Sequence, residues 1–336
     1  MILPRPALLW SSRIVWENGL FLIMSQTAFL FPGQGSQSPG MGRALAETFP
    51  EARAVFEQAD AALGFPISSL CWEGPEEALK LTENTQPAIL TVSVAALAVL
   101  RSKGLRADYV AGHSLGEYSA LVAAGGLDFI EALRTVRNRG RYMQEAVPPG
   151  AGAMAAIFRL TEGKLEEVLA EAAQGEIVTA ANLNSPDQVV IAGHTGAVQR
   201  AVELAKAAGA KRVQILSVSA PFHCPLMEPA QHRLAVDLAR LVFRDLAIPL
   251  INNWQSREVR AGADAREGLI QQVPNPVRWG DSIRHLMSLG VTVFIEVGPG
   301  GVLTGLLRNI DRERKGYKFG EPADWDRLST LGAARN

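Results

Sequence analysis

From position 27 onward the chain alternates short, continuously apolar runs with longer stretches of helical periodicity. TAFLF (27–31) predicts a buried strand, closed by Pro32-Gly33. Helical stretches follow at about 41–62 and 86–103, YVAGH (109–113) predicts a second strand, and helices are expected over about 115–124 and 127–146. Strands that alternate with helices in this way build a mostly parallel sheet with helices on both faces.

The rhythm changes between 150 and 218. GAMAAIF (152–158), IVTAANL (177–183), QVVIAG (188–193) and RVQILSV (212–218) predict strands, and 161–174 and 195–209 predict helices, the first with Thr161 as its expected N-cap. The order βαββαβ is the ferredoxin-like pattern, expected as a small domain inserted into the larger one. The large domain resumes at about 219, with helices over 226–243, 264–273, 279–289 and 302–310 and strands over 248–253 and 291–297. The fold class is therefore α/β, with a large domain over 25–149 and 219–312 and a small one over 150–218. The polar residues after 311, taken as a tail over 313–336, are expected to be loosely held. Residues 1–24 mix apolar residues with Arg13, Glu17 and Asn18 and lack the unbroken apolar centre of a signal peptide. They are expected to be an appended segment before Met24, outside the fold, with a weak targeting sequence as the alternative.

Composition narrows the classes. The 336 residues are 48% hydrophobic and 20% charged with net charge −1, a globular composition with no electrostatic reason to bind nucleic acid. The longest apolar run, Pro87–Leu100, is short for a bilayer and is broken by Thr91 and Ser93, so a buried core helix is expected, and no membrane. Cys71 and Cys224 form neither a disulfide framework nor a metal-binding spacing, which fits a reducing cytoplasm.

The chemistry centres on Gly112-His113-Ser114-Leu115-Gly116. G-x-S-x-G after a predicted strand and before a predicted helix is the setting of a nucleophile elbow, with the Leu115 N–H aimed at an oxyanion. A serine needs a base. Of the five histidines, His223 is the best placed, in a loop after a strand end, where α/β sheets gather their chemistry. The neighbouring Cys224 is an alternative nucleophile or a small buried hydrophobe. FPGQGSQSPGMG (31–42) has neither the G-x-G-x-x-G spacing nor a Lys-Ser/Thr pair. It supplies either a second oxyanion N–H, from Gln34, or a plain loop. Arg137, Arg139 and Arg141 share one predicted helix and are not separable by pattern, and a solvated basic face fits them too.

FPGQGSQ, GHSLGEYSAL, RGRYMQEAVPPGAGAMAAI, NSPDQVVIAG, APFHCPLM, NPVRW and EVGPGGVLTGL together resemble the malonyl-CoA:acyl carrier protein transacylases and the acyltransferase domains of fatty acid and polyketide synthases, in order over about 27–310. The resemblance implies a hydrolase-like domain with a ferredoxin-like insertion. It gives Ser114 the role of acyl-accepting nucleophile and His223 that of base. Gln34 and Leu115 become oxyanion donors, and Arg139 the partner of the malonyl carboxylate. Gln272, which carries no signal of its own, becomes the residue whose backbone carbonyl orients the histidine. Phe222 is similar to the phenylalanine that crowds a branched acyl group in malonyl-selective members. The implied substrates are malonyl-CoA and a phosphopantetheinylated acyl carrier protein, with no metal or redox cofactor, in a cytoplasmic monomer. A serine thioesterase or esterase is the alternative within enzymes, and a silent carrier-docking scaffold the alternative outside them.

Overall fold

The computed structural model describes residues 15–17, 20–22, 26–161, 163–218 and 220–333. The expectation for residues 1–24 lies largely outside them; of that stretch only an antiparallel pair, Val15–Glu17 with Leu20–Leu22, is described.

A six-stranded sheet forms the large unit, in the spatial order Glu258–Val259, Leu250–Ile251, Tyr109–Gly112, Gln26–Phe31, Val291–Val297 and Lys315–Phe319. All neighbours are parallel except the Glu258–Val259 edge. Alternate side chains of a strand point to opposite faces, and here both faces are covered. Phe29 and Phe31 enter one core, and Ala28 and Leu30 enter another with Trp279, Ile283 and Phe294. That is why Ala28–Phe31 is apolar throughout rather than alternating. The helix Thr82–Ser102 is long and apolar enough to cross a membrane by length and composition, but nearly all of it is packed inside the larger core.

The second sheet is antiparallel, in the order Val178–Ser185, Gln188–His194, Gly152–Phe158 and Arg212–Ile215. Helices Lys164–Ala173 and Thr195–Ala207 close one face over Ala155, Ile157 and Ile191, with Val198 packing down from the second helix. The other face gives Met154, Ala156, Val190 and Ala192 to the larger core, so this sheet roofs the large unit. Backbone bonds between Leu183, Ala181 and Val277 join the two.

Several expected elements differ. The strand expected over 248–253 keeps only Leu250–Ile251, because Asn252 and Asn253 leave the ladder and spend their polar groups elsewhere. The helix expected over 226–243 is a 3-10 turn, Pro225–Met227, followed by Glu228–Leu238. Beyond it the backbone of Arg244 and Leu246 bonds to Gly126 and Arg260, which draws the chain out of helical geometry. Thr161 is not a cap: the helix begins at Lys164 behind Gly163, whose φ of 78° is left-handed. The strand expected over 212–218 stops at Ile215. Over 315–333 the tail expected to be loose forms regular elements instead. Lys315–Phe319 adds a parallel strand to the sheet, and the helix Trp325–Ala333 packs back, with Phe319 and Leu328 fully buried.

Candidate active site

Ser114 stands between the strand Tyr109–Gly112 and the helix Gly116–Ala124 with φ 52°, a left-handed conformation that costs a non-glycine residue energy. Its neighbours must be glycines. A Cβ on Gly112 would lie 1.9 Å from the Gly116 carbonyl oxygen, and one on Gly116 2.0 Å from that of Phe31. The strained turn is held by Asn253, whose Oδ1 accepts the Ser114 N–H at 2.6 Å while its Nδ2 donates to the Gly112 carbonyl at 2.6 Å.

His223, also left-handed at φ 58°, reaches the serine from the segment before the Pro225–Met227 turn. Its Nε2 lies 2.7 Å from Ser114 Oγ and its Nδ1 2.9 Å from the Gln272 carbonyl oxygen. A carbonyl can only accept, so Nδ1 carries the proton and Nε2 is free to take one from the hydroxyl. Burial, and then the Arg139 guanidinium, push the imidazole down to about 3, so it is neutral at ordinary pH.

Arg139 projects from the helix Phe129–Glu145, capped by Asp128, and is 2% exposed. Its Nη1 donates to Gln86 Oε1 at 2.7 Å; its Nη2 donates to Gln272 Oε1 at 2.8 Å and to Ser114 Oγ at 3.2 Å. Among the described residues it forms no ion pair, and its Nε is buried without a partner. The two other arginines that the pattern left open are elsewhere: Arg137 lies over the Phe65 ring at 4.2 Å, and Arg141 donates to Asn138. A buried cation bonded only to neutral groups is costly, and a carboxylate is the ligand that removes the cost.

Gln34 lies on the turn after Gln26–Phe31, pressed on the elbow so closely that a Cβ on Gly33 would sit 2.4 Å from the His113 carbonyl oxygen. Its side chain accepts from Thr82 Oγ1 at 2.8 Å. Among the described residues neither the Gln34 nor the Leu115 backbone N–H donates a hydrogen bond. Gln34, Ser114, Leu115, Arg139, Phe222 and His223 all line one cleft that is partly open to solvent. Gln272 stands behind it, fully buried.

Cys224 does not compete with the serine. Its thiol donates to the Pro221 carbonyl, and burial raises it to about 12. His113 points away, to Asn184 Oδ1 at 2.8 Å, and His194 accepts from the Ile177 N–H. Among the described residues no cluster of three metal-ligating side chains exists. Sequence reasoning missed Gln86, Glu117 and Asn253. Glu117 had a signal: it is a charge in a helix whose other residues are all apolar or small.

The acyl transferase domain family matches residues 28–318. The chain is 48% identical over 301 residues to a malonyl CoA-acyl carrier protein transacylase of Escherichia coli K12, covering 89% of this chain and 97% of that one. Among solved structures it is similar to an acyl carrier protein S-malonyltransferase from Vibrio cholerae, with TM-score 0.88 and 46% identity over 90% of this chain and 100% of the other. It is also similar to a malonyl-transacylase in complex with its type II PKS acyl-carrier protein, with TM-score 0.87 and 45% identity over 89% of this chain and 97% of that one.

Proposed function

The chain belongs to the acyl transferase domain family, and from that membership we propose that it moves the malonyl group of malonyl-CoA onto the phosphopantetheine thiol of an acyl carrier protein through a malonyl-serine intermediate. The observation that carries this reading is the buried, unpaired Arg139 guanidinium 3.2 Å from the same Ser114 Oγ that His223 contacts at 2.7 Å.

The malonyl carboxylate pairs with Arg139, which sets the thioester carbonyl beside Ser114. Burial is the larger cause that depresses His223 and the Arg139 charge the second; the anion offsets the second and so raises the basicity of the imidazole. His223 Nε2 takes the hydroxyl proton as Oγ attacks the carbonyl carbon. The oxyanion is met by the Leu115 N–H, at the start of the Gly116–Ala124 helix, and by the Gln34 N–H, from the turn after Gln26–Phe31. Collapse breaks the C–S bond, and the CoA sulfur leaves with the proton from His223. The carrier thiol then repeats the sequence in reverse: His223 takes its proton, sulfur attacks the ester, and Ser114 leaves as the hydroxyl. Phe222 bounds the acyl end of the cleft and selects against branching.

A hydrolase of neutral esters would leave Arg139 without a partner. Fatty acid or polyketide synthesis is the setting such a transfer serves, with the enzyme a cytoplasmic monomer that needs no metal or redox cofactor. Labelled malonyl-CoA tests the reading. A malonyl adduct on Ser114 that discharges to a purified holo-carrier protein is expected; discharge to water alone would make the protein a thioesterase, and no adduct would overturn the proposal.

A further inference from the structure

Glu117 takes no part in the chemistry just described, yet it lies at the junction of every element that carries it. It is fully buried on the first turn of the elbow helix. Its Oε2 accepts two hydrogen bonds, from the Asn253 backbone N–H at 3.0 Å and from Gln272 Nε2 at 2.8 Å. Asn253 holds the Ser114 N–H and the Gly112 carbonyl. Gln272 works at both ends: its backbone carbonyl accepts from His223, its side-chain oxygen accepts from Arg139, and its amide donates also to the Ser114 carbonyl at 3.1 Å. With a cation on its oxygen and a carboxylate on its nitrogen, the Gln272 amide has one orientation only.

We propose that Glu117 is a positioning residue for acyl transfer, fixing the Ser114 elbow through Asn253 and fixing Arg139 and His223 through Gln272. The inference rests on the function proposed above. Ionisation strengthens both of its bonds, because hydrogen bonds to a charged acceptor are about twice as strong as neutral ones. Its other oxygen, Oε1, has no partner and faces the gap over Gly268. A proton carried there leaves the two bonds in place and removes the charge behind them.

Burial holds Glu117 at about 7 against the pull of Gln272, Asn253 and Arg139. Arg139 is the charged group that faces it from the Phe129–Glu145 helix, and Asn253 and Gln272, from the two other elements, are neutral. Of its titratable neighbours, His223 is neutral above about 3, and burial raises the Tyr118 hydroxyl on its own helix. The second-order acylation rate at low malonyl-CoA reports the free protein, where burial lowers His223 and the cleft residue His113 alike, so a limb near neutrality in it belongs to Glu117.

The test is the second-order rate of malonyl-serine formation at low malonyl-CoA, without carrier protein, between pH 5.5 and 8.5. In the wild-type protein it is expected to rise with pH through a midpoint near 7. Glu117→Gln keeps the shape and mimics the protonated acid. It should be flat with pH, about tenfold slower at pH 8, and less selective for malonyl over acetyl. A flat wild-type profile overturns the proposal without any variant, and so does a Glu117→Gln protein that keeps the limb or the full rate. Absence of any malonyl-serine in the wild-type protein fails the function itself, a separate outcome.

Discussion

The C-terminal ends of the large sheet and the interior of the small sheet treat charge in opposite ways. Around Ser114 the protein buries Arg139, Glu117 and His223 and holds two non-glycine residues left-handed beside them. The small sheet has a core of Ala, Ile and Val under its two helices, and its charges pair at the surface, as in Lys164–Glu167 and Lys206–Glu203. Its own left-handed residues, Arg159 and Gln174, lie at turns outside that core. Surface pairs of this kind contribute about 0–1 kcal/mol each, whereas a buried charge costs several unless it is matched. The first region is therefore built for a reaction at some expense of stability, and the core under the two helices of the second is built for stability, while Met154 and Asn182 on that sheet's other face line the cleft.

The largest way to break that contrast is at the nucleophile. Ser114→Ala should abolish the acyl-enzyme, read by intact mass after exposure to malonyl-CoA, while the melting temperature stays close to wild type. His223→Ala should slow acylation by about two to four decades, the usual range for a lost general base, in a stopped-flow or quenched assay. An unchanged rate would move the role elsewhere.

Arg139→Ala should invert selectivity. Malonyl transfer is expected to fall by about two to three decades, the loss of a charge-assisted pair in a desolvated site, and acetyl transfer much less. Competition between the two CoA esters reads the ratio directly. A preserved malonyl preference would place carboxylate recognition outside Arg139.

A subtler test sets stability against function at Glu117. Its acid is raised from 4.5 to about 7, so the folded state holds a proton that the unfolded chain releases. That contribution is present below pH 4.5 and lost as pH rises through about 7, at most about 3 kcal/mol. Glu117→Gln keeps it. The variant should melt like wild type at pH 4.5 and higher than wild type at pH 8, the gap opening between them. His223, depressed to about 3, works the other way: its contribution is present above 6.5 and lost as pH falls. It acts equally on both proteins and cancels in the comparison.

The smallest effect on chemistry is expected from the small sheet. Ile191→Ala removes a fully buried side chain and should cost about 2–5 kcal/mol in denaturant unfolding. The acylation rate of the folded protein should stay within about twofold. A large loss of rate would show that the roof tunes the site beneath it.

What the chain determines by itself is local and periodic. Ala28–Phe31 and Val110–Gly112 carry no polar side chain because both faces of their sheet are covered, and the βαββαβ order follows from the spacing of strands and helices between 150 and 218. Ser114 is legible because the elbow is a local steric problem, solved by glycines two positions to either side. The strand Lys315–Phe319 was not legible. Its parallel partner, Val291–Val297, is separated from it by a helix, and a polar edge strand has one neighbour and little apolar pattern. The choice of Arg139 over Arg137 and Arg141 also belongs to the tertiary structure: the three share one helix, and only packing decides which of them is buried beside Gln86 and Gln272. The same holds for Gln272, 158 positions from Ser114, and for Asn253, 139 positions away. A polar side chain at a strand or helix end carries no periodicity, so its partner is set only when chain closure over that distance brings the two together.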